Sequence, residues 1–171
     1  MGYYLSFDAP STLSVSLALR VGILPKENPD WPVCGIPSEV FVDNGQDLIS
    51  DHMKTVAADL RFELIPGSDG HARHNGRLER FNRTINTGPN VTKRPEKVEP
   101  ELTLREFEKR FRQWLVQEYM KSKNRTTKQT PLARWKSKEF VPRLPDSARQ
   151  LDLLLVCDAK QRRITPEGIH L

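Results

Sequence analysis

At 171 residues, with 27 lysines and arginines against 22 acids, the chain carries a formal net charge of +5 and a sequence pI of about 9.4, a balance that points to a polyanionic partner. Apolar residues make up 37% and charged residues 29% of it, which suits a modest core with an appendage of helix or linker better than one large core. Two distant cysteines, Cys34 and Cys157, with no CxxC or histidine spacing, indicate neither a disulfide framework nor a zinc site; with no leader pattern and no apolar run of about 18 residues, a reducing cytoplasm is expected and a membrane segment is not.

Residues 3–7 alternate, Tyr3, Leu5 and Phe7 against Tyr4 and Ser6, as a half-buried strand does. A chain opening on a core strand leads us to expect a segment before it. Pro10, Ser11 and Thr12 then signal a helix start, and Leu13, Leu17, Ala18, Val21 and Leu24 share one helical face until Pro25. Residues 26–37, rich in proline, read as an irregular loop carrying Trp31 and Cys34. Val40, Phe41 and Val42 form a short apolar strand ending on Asp43, Asn44 and Gly45. Met53, Val56, Ala57 and Leu60 predict a second amphipathic helix capped by Ser50 or Asp51, and residues 61–65 alternate as a strand up to Pro66. Strand, helix, strand, helix, strand argues for an α/β sheet with helices on its faces.

Residues 67–75, with two glycines, two histidines and no apolar periodicity, predict a loop leading into a basic helix. There Leu78, Phe81 and Ile85 form the buried stripe, while Glu79, Asn82, Arg83 and Asn86 share a more open face. Glu79 is expected near the helix start, where the dipole favours a carboxylate. Residues 87–100 read as a linker. Thr103 and Glu106 form a capping-box pattern, opening a helix with the stripe Leu104, Phe107, Phe111, Trp114 and Leu115 that runs to about Met120. Residues 121–128 are basic and polar, and residues 131–135 form a short apolar and basic step. Beyond Leu144 and Pro145, residues 151–156 read as a strand and residues 162–171 as a turn into another. Two strands make no stable sheet by themselves, so this end reads as the opening of a larger unit.

Thirty-five residues separate Asp43 from Glu79, room for one helix, one strand and one loop to carry the chain away and back. One carboxylate leaves a strand and the other rides a helix, the arrangement of a pair that holds Mg²⁺ for phosphodiester hydrolysis or transfer. Arg77, Arg80 and Arg83, flanked by Arg73, Lys93 and Arg94, include almost no acid except Glu79, which suits a phosphate-binding groove. Each signal has a plainer reading. Asp-Asn-Gly favours a tight turn, and Glu79 can pair with Arg83 at i+4 on the surface. His71 and His74 are solvated loop residues or DNA contacts, and Lys121, Lys123, Arg125 and Lys128 are a solvated face or phosphate contacts. Trp31, Trp114 and Trp135 read as packing residues, and the two cysteines as inert thiols.

At Val42-Asp43-Asn44-Gly45 and Gly76-Arg77-Leu78-Glu79-Arg80-Phe81-Asn82-Arg83-Thr84 the chain resembles the retroviral-integrase superfamily of DDE transposases, in particular the phage Mu-like branch and its bacterial transposon relatives. Gly2-Tyr3-Tyr4-Leu5-Ser6-Phe7, Trp31-Pro32-Val33-Cys34-Gly35-Ile36-Pro37 and Thr130-Pro131-Leu132-Ala133-Arg134-Trp135 extend the resemblance over nearly the whole chain. It implies an α/β architecture: an incomplete ribonuclease-H-like core over residues 1–95, a linker and helical extension over 96–142, and the truncated start of a small β-barrel over 143–171. It implies cleavage and transfer of DNA strands with two Mg²⁺ or Mn²⁺ ions. Asp43 matches the second acid and Glu79 the third, as catalytic and metal-ligating residues; the first is expected on a strand before Gly2, and Asp8 is no substitute. Asn44, Arg73, His74, Arg77, Arg80, Arg83, Lys121 and Lys123 are the implied DNA contacts. Implied partners are transposon ends and target DNA, further copies of the protein and an ATPase, at the nucleoid of a bacterial cytoplasm. With two acids, weaker metal binding, no strand transfer by this chain alone, and low stability are expected. The alternatives are a catalytically dead DNA-binding or subunit-binding remnant and a ribonuclease-H-like nuclease.

Overall fold

The computed structural model describes residues 2–9, 11–42, 50–66, 72–87, 102–137, 141–156, 164–165 and 168–169. Local chemistry starts the first helix, α1 (Thr12–Ile23): the Ser11 hydroxyl accepts the Ser14 N–H at 3.2 Å while the Ser14 hydroxyl accepts the Ser11 N–H at 2.8 Å. It stops where Pro25 cannot continue it, Leu24 N–H closing on the Arg20 carbonyl. Strand β1 (Glu39–Val42) follows, then α2 (Asp51–Leu60), capped by Ser50 and ended by Arg61 in the left-handed region at φ 54°. That turn drops buried Phe62 under α2 and opens β2 (Glu63–Pro66). β1 and β2 pair in parallel, Glu39 opposite Glu63 and Val42 opposite Pro66, so the β1-α2-β2 crossover of an α/β fold is present.

The remaining elements are mostly helical. α3 spans Ala72–Thr87 and α4 spans Leu104–Gln113, the latter opened by the Thr103 and Glu106 capping box. α4 runs on without a break through a π turn at Trp114–Glu118 and a 3-10 turn at Tyr119–Lys121. α5 spans Pro131–Lys136 and α6 spans Ala148–Val156, and a short antiparallel pair, β3 (Ile164–Thr165) and β4 (Gly168–Ile169), comes last.

Two apolar clusters hold the chain together. Ile23, Met53, Val56, Leu60, Phe62, Leu151 and Leu155 form one; Trp31, Phe111, Trp114, Leu115 and Val116 form the other, with Tyr3, Leu5, Val21 and Ile85 packed against it. α1 serves both, Ile23 in the first and Val21 against the second. Such burial is the main stabilising term.

Three expectations need correction. Residues 3–7 are extended but pair with no strand among the described residues. Their side chains do other work: Tyr3 stacks on Trp31 at 5.9 Å and meets Phe111 edge-on at 4.9 Å. Gly2 lies so close on α1 that a Cβ there would sit 2.2 Å from the Ala18 carbonyl oxygen. Residues 151–156 belong to helix α6 and not to a strand. Ser147 starts it, its hydroxyl accepting the Gln150 N–H at 3.0 Å, and Leu151 and Leu155, one turn apart, enter the cluster beside Ile23 and Met53. Arg20 on α1 holds Asp152 on α6 through two hydrogen bonds, fixing the pairing of the two helices. Finally, α3 begins at Ala72, so part of the expected loop over residues 67–75 is helix. Residues 67–71 and 88–101 lie outside the described residues.

Candidate functional site

The parallel register brings the ends of β1 and β2 to one edge, since Val42 faces Pro66. Val42 is 7% exposed, so the strand is anchored up to the residue before Asp43. Asp43 and Asn44 themselves lie outside the described residues. From the same edge the chain leaves β2 at Pro66 and, five residues on, enters α3. In α/β sheets the carboxyl ends of parallel strands are where ligands are met.

α3 is seated by its aromatic and aliphatic residues. The Phe81 ring meets Tyr119 edge-on at 5.4 Å, and Ile85 packs against the Trp31 and Phe111 cluster. Glu79, Arg80, Asn82 and Arg83 are exposed, which is the division into faces that the periodicity predicts. Arg80 Nε donates to the Gly76 carbonyl at 2.9 Å, and Thr84 Oγ1 donates to the Arg80 carbonyl at 2.8 Å. Glu79 stands at the eighth residue of α3 and not near its start, beyond the first turn where the helix dipole acts. Arg73, His74 and Arg77 are α3 residues at its N-terminal half; their side chains lie outside the described residues.

Lys121 Nζ is engaged within the chain, at 3.0 Å from Asp30 Oδ2 and 3.0 Å from Gln117 Oε1. Its hydrogen bond holds the Asp30 carboxyl below the usual carboxylate range. Lys123 is exposed two residues further on. Asp8 is also engaged locally, accepting the Ser6 hydroxyl at 3.0 Å. Glu39 and Glu63 face each other at the opposite end of the strand pair from Val42 and Pro66. Among the described residues no group of three His, Cys, Asp or Glu side chains is placed to hold a metal ion. Asp43 and Glu79 supply hard carboxylate oxygens, the donor type that Mg²⁺ and Mn²⁺ accept.

Sequence reasoning did not find the cavity of about 430 Å³ between residues 122–130 and α5, whose walls include Tyr119, Asn124, Gln129, Arg134 and Trp135. Trp135 had the look of a packing residue. The signal was available: residues 121–137 contain six lysines and arginines and no acid.

Residues 1–90 match the family model described as TnsB C-terminal domain, a span that includes Asp43 and Glu79. The chain is also similar to the transposase for transposon Tn552 of Staphylococcus aureus, 37% identical over 174 residues that cover 99% of this chain and 36% of that protein. It therefore spans about a third of the length of that relative. No helix among the described residues is long and apolar enough to cross a membrane.

Proposed function

This chain belongs to the TnsB C-terminal domain family, and from that premise we propose that it is a transposase segment that holds DNA along α3 and contributes Asp43 and Glu79 to a phosphodiester-cleaving centre. The observation that carries the reading is the seating of α3. Phe81 and Ile85 are taken up by the aromatic cluster, which leaves Glu79 outward among Arg80 and Arg83. We read the β1-α2-β2-α3 order as the later part of a ribonuclease-H-like core of the DDE type, Mu-like in its branch, with Asp43 as second acid and Glu79 as third. Residues 143–171, in this reading, lead toward a small barrel.

In the proposed mechanism Arg80 and Arg83 neutralise backbone phosphates and set the strand along α3. Asn44, Arg73, His74, Arg77 and Lys123 extend that track; Lys121 joins it by exchanging Asp30 for a phosphate. Asp43 and Glu79 provide oxygen ligands for Mg²⁺ or Mn²⁺. The cation, when bound, activates the attacking oxygen and stabilises the leaving one. A third carboxylate is needed for tight two-metal binding, and none is offered by Asp8, Glu39 or Glu63, so we expect the chain alone to bind DNA and not to join it. Transposon ends and target DNA, further copies of the protein and an ATPase are the partners this reading proposes.

The test combines Mn²⁺ titration followed by electron paramagnetic resonance with binding of a labelled 30-bp duplex. Asp43→Asn and Glu79→Gln should each weaken Mn²⁺ binding by roughly tenfold, the loss of one charged ligand, while leaving duplex binding intact. Mn²⁺ binding unchanged in both variants would sink the metal assignment. No duplex binding at 50 mM salt would sink the DNA assignment. A Mg²⁺-dependent cut product from this chain, lost in either variant, would overturn its expected inactivity and favour the nuclease reading.

A further inference from the structure

We propose that the cavity between residues 122–130 and α5 receives one unpaired nucleotide of a DNA strand, its base against Trp135 and its phosphate on Arg134. The proposal rests on the DNA-binding reading above and adds to it a second, recessed contact of different chemistry. At about 430 Å³ the cavity lies within the usual range for small-ligand sites and accepts a single nucleotide but not a duplex. Its walls join two aromatic rings, Tyr119 and Trp135, to the amides of Asn124 and Gln129 and the guanidinium of Arg134. Stacking surface, amide groups for a base edge and a cation for phosphate are the parts with which proteins hold unstacked bases.

The electrostatics select an anion and disfavour an acid-free peptide. Across residues 121–137 six cations stand without one acid. Asp30, from a distant loop, is hydrogen-bonded to Lys121, so a carboxylate already meets one cation of this run.

The loop is also held in shape before any ligand arrives. Asn124 Oδ1 accepts the N–H groups of Thr126 and Thr127 at 2.9 and 3.1 Å, which leaves its amide NH₂ as the available donor. Asn124 N–H donates to the Gln129 carbonyl at 3.0 Å, Lys128 N–H returns to the Asn124 carbonyl at 2.9 Å, and Lys128 takes a left-handed φ of 56° to close the turn. A cavity wall fixed this way spends less ordering entropy on binding.

Position completes the argument. The Tyr119 ring that lines the cavity is the ring on which Phe81 of α3 sits, 5.4 Å between centroids, and Phe81 is two residues from Glu79. The cavity wall is thereby tied to the seated face of α3, the side turned away from the exposed Glu79.

The test measures anisotropy of the full chain with a labelled blunt 30-bp duplex and with the same duplex carrying a three-nucleotide single-stranded tail that contains 2-aminopurine. The tail should tighten binding about tenfold, the lower part of the range for one stacked base, and its 2-aminopurine emission should be quenched. Arg134→Gln, at an exposed position, and Trp135→Leu should abolish the gain and keep blunt-duplex binding within about twofold. Lys109→Gln, which removes a charge from the exposed side of α4, should keep the tail preference. Because Trp135 is half-buried, Arg134→Gln carries the result if Trp135→Leu is unstable. Equal affinity for blunt and tailed DNA, or a tail preference that survives Arg134→Gln, overturns the proposal while the α3 reading stands. Failure to bind either DNA overturns both.

Discussion

Asp30, Asp51, Glu106 and Asp152 are held below the ordinary carboxylate range chiefly by hydrogen bonds, from Lys121, from Lys54, from the Thr103 backbone N–H and hydroxyl, and from Arg20 respectively. All four are at the surface, where water screens the gain. Their sign is nevertheless common. A carboxylate depressed in the folded state adds stability above its unfolded value, ~3.9 for Asp and ~4.3 for Glu, and loses it as pH falls through the folded value. The melting temperature followed by circular dichroism should therefore be flat from pH 7 to about pH 5 and fall below about pH 4. Asp152→Asn should lower the neutral-pH value and flatten the acid fall, because it removes one of the four. These pairs were unequally legible. Thr103 and Glu106 are three residues apart and announce themselves, whereas Asp30 and Lys121 are 91 residues apart, so Lys121 looked like one more solvated cation.

The caps at Ser11, Ser50 and Thr103 show why most helices could be placed from sequence: a cap and an apolar stripe are local facts. α6 shows where locality ends. In Leu151, Asp152, Leu153, Leu154, Leu155 and Val156 the apolar residues satisfy a period of two and a helical period together, and a run this short does not separate them. What decides is tertiary: α1 offers Ile23 to Leu151 and Leu155, and Arg20 to Asp152. The two readings differ at one residue. In a strand Leu151, Leu153 and Leu155 would share a face, whereas here Leu153 is 57% exposed and Leu151 is 1% exposed. Leu151→Ala should cost ~2–4 kcal/mol in urea unfolding, and Leu153→Ala should stay within about 0.5 kcal/mol. Comparable losses at both positions would mean that α6 is wrong. Residues 3–7 failed for a related reason, since alternation reports sidedness and says nothing of a neighbouring strand.

Among the described residues, positive charge gathers on the outer face of α3, at Arg80 and Arg83, and along the acid-free run of residues 121–137. If both lie on DNA, the logarithm of affinity should fall linearly with the logarithm of salt concentration, and Arg80→Ala and Arg83→Ala should each lessen the slope by about one. An unchanged slope in both variants would remove α3 from the interface. The candidate site was legible where it depended on helical periodicity, as at Glu79, Phe81 and Ile85. It was not legible where it depended on a cavity, because Arg134 and Trp135 become neighbours of Tyr119 and Asn124 through folding. Between the two surfaces runs the helix from Leu104 to Lys121, with its π turn at Trp114–Glu118. A π turn is one residue inserted into an α-helix, and that residue advances everything after it by about 100°. The helix thus sets a phase: Phe107 and Phe111 before the insertion and Tyr119 after it all meet the Trp31 cluster, and Tyr119 and Met120 line the cavity beside α5 as well. Removing a single residue there would turn the cavity wall away from α3 without altering either surface's own sequence, so the geometric link between them resides in the count of residues and not in their identity.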